Sequence, residues 1–446
     1  MAEVALRAGA VWVGSLLLLP LMAAPLVTRS KAGRLSLPAR FTLAAACGAV
    51  VLSFVMTIFA LAGWRWNLAV LTATGLATCA FLRRFLPDSP PSARRPDAWS
   101  LLERASILIL ILSVAASLVA AASGSASSAD LIFFWGPKAQ AFATAHTIDA
   151  RFLGQPLLDH LQASYPPLVT NVGAFASLAA GRFAWGASVL VFPLLVGLLA
   201  FALPSLLGLL APRSAALALS ALAVSTASLL GDTFDIAGNG DMPLLFFEAV
   251  AAALLVDPWA LEKGGQFLAG LMLAGAASTK VEGLAFTLGI ALFFLILRRK
   301  EIRWTAAALR LLLPAVLCLA AWFAFGASRR LFVGYHGYGR VLEIYWKRLP
   351  IVLPSIGQAL FSAGWALPFL LPLAVLLVTK GPWRLAVIPV GTALLLAGFF
   401  VFTYLHGAAG LRLWILWSAG RIFSPVAVLF TIAAAARSAK PVSETS

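Results

Sequence analysis

Ionisable residues that stand beside apolar segments are the chemically informative feature of this sequence. Asp130 precedes an apolar run that ends at Trp135, and Lys138 follows after a Gly-Pro pair. Further polar groups occur in similar positions at His160, Tyr165, Asp241, Lys280, Glu282, Arg412 and Arg421. A carboxylate can act as a general base, and Lys and Arg side chains bind phosphate. Because charged groups at membrane depth are costly, the pattern predicts a functional site.

The composition predicts the class of protein in which these residues lie. Of 446 residues, 61% are hydrophobic and only 11% are charged. Apolar runs recur along the whole chain, and strand-like alternation is absent, which predicts an all-α polytopic membrane protein. Roughly thirteen runs could form membrane-spanning helices: 8–28, 41–62, 66–82, 105–123, 186–210, 214–230, 242–256, 266–279, 281–297, 305–326, 351–378, 385–405 and 421–436. We expect the first run to be a retained helix, not a cleaved signal peptide.

The basic residues predict an orientation. Lys and Arg concentrate in 29–40, 83–104, 298–303 and the tail 437–440, and all four segments fall on one side if the thirteen helices are correct. Short loops rich in Lys and Arg stay in the cytoplasm. The formal charge of +16 then reflects topology, and the chain carries no nucleic-acid motif. The polar candidates fall on the opposite, extracytoplasmic side.

Cysteine and histidine give little sign of a metal or a disulfide. Cysteines occur only within predicted helices, at Cys47, Cys79 and Cys318. The histidines fall outside the predicted helices and match no zinc motif: His146, His160, His336 and His406. We expect them to be hydrogen-bonded interface residues, and we expect no metal cofactor.

Two segments are predicted to be external loops. The segment 124–185 is too long for a simple connection, and its amphipathic stretches predict short helices on the membrane surface. It is either a binding loop or a structural cap. The segment 327–350 holds one Glu and five basic residues, which opposes the orientation rule: Arg329, Arg330, Arg340, Lys347 and Arg348. Either the predicted number of helices is wrong by one at this point, or the loop binds an anion such as phosphate, with His336 nearby.

The run 266–297 is irregular for a membrane helix. As one helix it would be roughly 48 Å long, too long for one span and short for two. Lys280 and Glu282 lie near its middle, two residues apart, so they cannot pair along one helix face. A break at this point explains both facts, and a kinked helix whose charges pair with neighbouring helices is the alternative.

A turn at 231–243 carries three carboxylates. Asp232 and Asp235 fit an ordinary solvated turn. Asp241 precedes a helix that begins near Pro243, so it either caps that helix or belongs to the site.

The order of these motifs resembles the GT-C class of integral-membrane glycosyltransferases, which includes protein O-mannosyltransferases and the aminoarabinose transferases of lipid A. Many bacterial members show Asp, aromatics, Trp, Lys-Ala, His, Tyr-Pro-Pro-Leu, an Asp-containing turn and Thr-Lys-x-Glu-Gly. The corresponding residues here are Asp130, Trp135, Lys138-Ala139, His160, Tyr165-Pro166-Pro167-Leu168, Asn239-Gly240-Asp241-Met242-Pro243 and Thr279-Lys280-Val281-Glu282-Gly283. The resemblance covers about residues 105 to 300, with a looser match at Arg421 and Pro425.

The resemblance implies transfer of a sugar from a polyprenyl-phosphate donor to an acceptor hydroxyl, with inversion and with Asp130 as base. The donor phosphate would be bound by Lys280, Arg340 and Arg412, with Arg329, Arg330 and Arg421 behind them. The side chains expected to orient substrate or shape the loop are Trp135, Lys138, His160, Tyr165, Asp241, Glu282 and His336. The chain lacks the Asp-x-Asp or Glu-x-Asp pair of metal-using members, since Ser128 and Ala129 precede Asp130.

The predicted organisation has three parts. Residues 1–104 form extra N-terminal transmembrane helices, 105–300 the catalytic module, and 301–446 the C-terminal helices. The expected partners are the lipid-linked donor, a glycan, lipid or protein acceptor, and the bilayer, in a bacterial cell membrane. Two rival functions remain open: a transporter or flippase for a lipid-linked or anionic solute, and a lipid-carrier glycan polymerase or ligase.

Overall fold

The computed structural model describes residues 2–27, 35–85, 99–123, 130–155, 163–230, 238–331, 345–362, 366–405 and 411–439. Secondary structure in these ranges is helical, and they contain no strand. The predicted all-α class is therefore confirmed. His160, His336, Arg340 and His406 lie outside the described residues, as do Asp232 and Asp235.

The first half of the chain alternates long apolar helices with one segment of short ones. The helices are α1 Ala2–Ser15, α2 Leu18–Val27, α3 Leu37–Leu61, α4 Leu68–Leu82, α5 Leu101–Ala122, α6 Gly136–Ala145, α7 Ala150–Leu153, α8 Leu168–Ala180, α9 Trp185–Ser188, α10 Val191–Leu207 and α11 Arg213–Leu230. A π-helical turn at Leu131–Trp135 leads into α6, and a 3-10 turn at Arg83–Phe85 follows α4.

The second half continues with α12 Asp241–Val256, α13 Lys263–Ala277, α14 Val281–Leu297, α15 Trp304–Ser328, α16 Leu349–Phe361, α17 Ala366–Val378, α18 Val387–Leu405, α19 Leu411–Ile422 and α20 Ser424–Arg437. Short 3-10 turns occur at Pro258–Leu261 and Trp346–Arg348.

Several helices are long and apolar enough to cross a bilayer. Seven such spans occur in the described ranges: Leu6–Val27, Leu37–Leu61, Leu101–Ala122, Trp185–Leu207, Trp304–Ser328, Val387–Leu405 and Leu411–Arg437. An eighth arises if 346–361 and 366–378, which meet at 89°, count as one bent span. The chain is thus a multi-pass membrane protein.

Judged by helix length and apolar composition, the described helices do not reach the predicted number of about thirteen spans. The runs at 66–82, 214–230, 242–256, 266–279 and 281–297 do form helices, but each has at most 18 residues within the bundle. A helix of 16 residues is about 24 Å long, short of a hydrocarbon core of about 30 Å. Helices α12 and α13 are buried along nearly their whole length, so these two short helices lie inside the bundle.

The chain breaks between α13 and α14, as predicted from the irregular run. Ser278 and Thr279 form a turn and Lys280 is extended, with φ −147° and ψ 165°, before α14 begins at Val281. Leu273 O accepts a hydrogen bond from the hydroxyl of Thr287, which joins the two helices side by side. The single kinked helix is therefore excluded.

The segment that follows α5 contains short helices, α6 to α9, and their place on the membrane surface stays a prediction. Pro137 lies in the first turn of α6. Because its backbone nitrogen carries no hydrogen, it cannot donate a helical hydrogen bond. The backbone widens there, and the N–H of Gly136 reaches back to Leu131 O. His146 is hydrogen-bonded, as expected, because its ring Nδ1 contacts Trp66 O at 3.0 Å.

Candidate functional site

A continuous set of ion pairs joins four parts of the chain. Arg421 Nη1 in α19 lies 3.3 Å from Asp130 Oδ2 and 3.5 Å from Asp241 Oδ2. Asp241 Oδ1 lies 2.6 Å from Lys280 Nζ. The set brings the residue before the π-helical turn together with the start of α12, the α13–α14 break and α19. We call these four residues the ion-pair network.

Lys280 also contacts Glu282, with Nζ and Oε1 3.7 Å apart. The contact agrees with the predicted break, because residues two apart cannot pair along one helix face. Lys280 is extended and precedes α14, whereas Glu282 lies in its first turn, so the side chains turn toward each other. Glu282 thus contacts Lys280, but Asp241 is the closer partner.

Asp241 does not cap its helix. The side chain of Asn239 accepts hydrogen bonds from the backbone N–H groups of Asp241 and Met242, at 3.1 and 3.4 Å. Asn239 satisfies the first N–H groups of α12, and the Asp241 carboxylate is left for Lys280 and Arg421. The capping alternative is wrong, and Asp241 is a member of the ion-pair network.

The network becomes more buried from one end to the other. Asp130 exposes 20% of its side chain, while Asp241 and Lys280 expose 10% and 9%. Two cavities of about 10 Å³ each adjoin Asp241 and Arg421, and each is about the size of one water molecule. Asp130 is therefore the carboxylate most open to an incoming group.

Aromatic rings cover one side of the network. Trp135 stacks on Tyr165 with centroids 6.0 Å apart, and Lys138 Nζ lies 4.5 Å from the centre of the Trp135 ring. A Cβ atom on Gly240 would lie 2.7 Å from Cζ2 of Trp135 and 3.2 Å from Cδ of Lys280. A larger residue at position 240 would therefore clash with the indole ring of Trp135 and crowd the side chain of Lys280. Leu168 N, after the Tyr-Pro-Pro motif, donates to Ser278 O at 3.1 Å.

Burial and neighbouring charges shift the pKa of three groups around the network. Burial lowers the pKa of Lys138 to about 7, and the Asp130 carboxylate only partly offsets this effect. Burial also opposes a charge on Lys280, but the carboxylates of Asp241 and Glu282 outweigh it, so the pKa of Lys280 is raised. The pKa of Tyr165 is raised by burial and then by the charge of Glu282.

A buried acid beneath the network was missed in the sequence. Glu248 lies seven residues after Asp241, two turns along the same side of α12, and is 1% exposed. In the described part of the chain, neither of its carboxyl oxygens has a hydrogen-bond partner. The sequence could have indicated Glu248, because an acidic residue within the apolar run 242–256 is itself unusual.

An apolar cavity of about 490 Å³ is lined in part by residues that flank the network in sequence. Leu131, Trp135 and Pro243, which are neighbours of Asp130 and Asp241 in sequence, contribute to its wall. The remaining wall is nearly all aliphatic or aromatic and comes from α1, α3, α5, α8, α10 and α12. A cavity of this kind suits the hydrocarbon part of a ligand whose polar head lies at the network.

Three other predicted phosphate ligands, all among the described residues, form no ion pair with the network. Arg412 is exposed on α19 and its Nη2 donates to Gln358 Oε1 at 3.0 Å. Arg329 and Arg330 are exposed at the end of α15, without an ion pair to any described residue. Arg421, predicted to stand behind the other cations, is instead at the centre.

Within the described ranges, no three His, Cys, Asp or Glu side chains are grouped to hold a metal ion. The described cysteines are free and lie in helices, as predicted. Comparison with family models, curated proteins and solved structures finds no match for this chain.

Proposed function

We propose that this protein is a glycosyltransferase that moves a sugar from a polyprenyl-phosphate donor to an acceptor hydroxyl. The observation that carries the proposal is the chain of contacts from Asp130 through Arg421 to Asp241 and Lys280. It combines one accessible carboxylate with two cations beside an apolar cavity. These are the groups needed to deprotonate a hydroxyl, stabilise a leaving phosphate and hold a lipid tail.

In the proposed reaction Asp130 accepts the proton of the acceptor hydroxyl. The hydroxyl oxygen bonds to the anomeric carbon, and the bond from that carbon to the phosphate oxygen breaks. The products are the glycosylated acceptor, with inverted configuration, and the free polyprenyl phosphate. Asp130 suits this role because it is the most exposed carboxylate of the network.

Arg421 and Lys280 are proposed to stabilise the negative charge that develops on the phosphate. A guanidinium has five N–H donors and an ammonium three, so both can keep their carboxylate contacts while binding phosphate. Asp241 and Glu282 hold Lys280 in place, and Trp135, Tyr165 and Lys138 shape the side of the site where sugar or acceptor would bind. Stabilisation by such fixed charges in a dry site is a large catalytic term.

The proposal includes the topology read from the sequence. Thirteen crossings, with the shorter buried helices crossing among the longer ones, would leave the basic loops in the cytoplasm and the network on the extracytoplasmic side of a bacterial cell membrane. The donor tail would enter the apolar cavity from the lipid.

The test is donor cleavage by the purified protein in lipid vesicles. We would supply polyprenyl phosphates that carry hexoses or pentoses, together with cell-envelope acceptors, and measure released polyprenyl phosphate by mass spectrometry. Arg421→Gln should reduce release by about 10²-fold or more, as for loss of one oxyanion donor. The matched control Arg412→Gln, which changes an exposed arginine on the same helix, should stay within about two-fold.

The rival function gives a different result in the same vesicles. A transporter or flippase would move the donor across a sealed bilayer with its sugar–phosphate bond intact. Translocation without release of polyprenyl phosphate would reject the glycosyltransferase proposal.

A further inference from the structure

A second cavity lies between helices α3, α4, α13 and α15 and is separate from the ion-pair network. Its volume is about 690 Å³. The floor is formed by buried residues of α3 and α13 such as Val50, Val51 and Leu271, and the walls by α4 and α15. None of its lining residues belongs to the network or to the cavity beside it.

Three cations from three different elements border this cavity. Arg84 comes from the turn after α4, Lys263 is the first residue of α13, and Arg310 lies in the second turn of α15. No carboxylate lines the cavity among the described residues. None of the three cations forms an ion pair within the described chain. Arg310 donates to the neutral side chain of Gln266, and Arg84 lies over the ring of Phe81.

The apolar part of the cavity extends away from these cations. Leu309, Leu313 and Leu317 recur every four residues on one face of α15, and they are 60%, 40% and 48% exposed. From Arg310 to Leu317 the helix rises about 10 Å. The cavity thus has positive charge at one end and an exposed apolar wall along its length.

We infer that this cavity binds an anionic phospholipid, with the phosphate between Arg84, Lys263 and Arg310 and an acyl chain along the leucines of α15. Charge complementarity selects the head group, because three uncompensated cations favour a lipid of net negative charge over a zwitterionic one. The recess between four helices distinguishes the site from an open lipid-facing surface. The inference does not depend on the proposed function.

The test is lipid binding by the full chain in detergent, measured by native mass spectrometry. Phosphatidylglycerol and phosphatidylcholine of identical acyl chains are added at increasing concentration. We expect the wild type to retain phosphatidylglycerol preferentially. Each lysine or arginine near an anionic lipid contributes about five-fold in affinity, so the triple variant Arg84→Gln, Lys263→Gln, Arg310→Gln should lose about 100-fold.

Two further variants separate a defined site from general charge attraction. The control Arg299→Gln, Lys300→Gln, Arg303→Gln removes three exposed cations that do not line the cavity, and it should keep the preference. Leu313→Trp leaves the charge unchanged but fills the apolar wall, and it should weaken phosphatidylglycerol binding about ten-fold. Thermal unfolding confirms that each variant is folded.

Three results would overturn the inference. Equal retention of the two phospholipids removes the selectivity for charge. An equal loss of phosphatidylglycerol binding in the cavity triple variant and in the control triple variant would show that the lipid is attracted only by general surface charge. Binding of free polyprenyl phosphate, with no binding of phosphatidylglycerol, assigns the cavity to a different lipid.

Discussion

Lys280 Nζ lies 2.6 Å from Asp241 Oδ1, although the two residues are 39 positions apart in sequence. One follows the break after α13 and the other begins α12, so the pair fixes the start of α12 against that break. Both side chains are about nine-tenths buried. Removing one member of such a pair leaves an uncompensated charge.

Lys280→Met should therefore lower the free energy of unfolding by about 3–5 kcal/mol and abolish transfer. Lys280→Arg, which keeps the charge, should lose less stability. The double variant Lys280→Met, Asp241→Leu should recover part of the loss, because the Asp241 carboxylate is then not left without Lys280, although Glu282 still is. Thermal and denaturant unfolding in detergent measure these differences. A Lys280→Met protein as stable as the wild type would contradict the importance of the pair.

Gly240 is predicted to be intolerant of any side chain. Its φ of −71° suits every residue, so the constraint comes only from the contact of a Cβ with Trp135 and Lys280. Gly240→Ala should displace the indole ring, reduce transfer about ten-fold and destabilise the fold by about 1–3 kcal/mol. Gly398→Ala in α18, where a Cβ meets no atom within 4 Å, is the matched control and should be harmless. Equal effects from both variants would show that packing against Trp135 is unimportant.

Lys138 should make stability depend on pH near neutrality. Its pKa is about 7 in the folded protein and close to 10.5 in the unfolded chain. At a pH between these two values, Lys138 is protonated in the unfolded chain but mostly neutral in the folded protein. Stability should rise with pH across this window, by about 1 kcal/mol per pH unit, and fall as the pH drops toward 7. Apparent melting temperatures from pH 6 to 10 measure the slope. Lys138→Met should lack it, and an identical slope in that variant would refute the assignment.

Glu248 is predicted to reduce stability. Its buried carboxyl group has no hydrogen-bond partner in the described chain, and such a group costs about 1–3 kcal/mol. Glu248→Met should therefore raise the melting temperature. Glu103 is the matched control, since it is also buried but completes the capping box of α5 and contacts Arg213 at 3.4 Å. Glu103→Met should lower the melting temperature, and a fall in both variants would show that Glu248 has a partner.

Much of the fold follows from local sequence. Apolar runs predicted the helices, and the excessive length of 266–297 with two central charges predicted the break at Lys280. The number of membrane crossings does not follow in the same way. Runs such as 242–256 are enclosed by other helices, and their short length is compatible with burial among longer neighbours.

The candidate site was predicted in part. Asp130, Asp241, Lys280 and Glu282 could be named because each interrupts an apolar context. The choice between Arg412 and Arg421 could not be made, because both lie on α19 and only tertiary packing decides which one meets Asp130. The capping of α12 by Asn239 could not be predicted for a similar reason, since any polar residue of that turn could have capped the helix.

Asp130→Asn tests the central claim most directly. The amide keeps the size of the side chain and can still contact Arg421, but it cannot accept the proton of an acceptor hydroxyl. Donor binding and release of polyprenyl phosphate are measured on the same vesicles. We predict that Asp130→Asn binds the lipid-linked donor with wild-type affinity and releases polyprenyl phosphate at least 10²-fold more slowly. Release at the wild-type rate would remove Asp130 from the role of base and contradict the proposed mechanism.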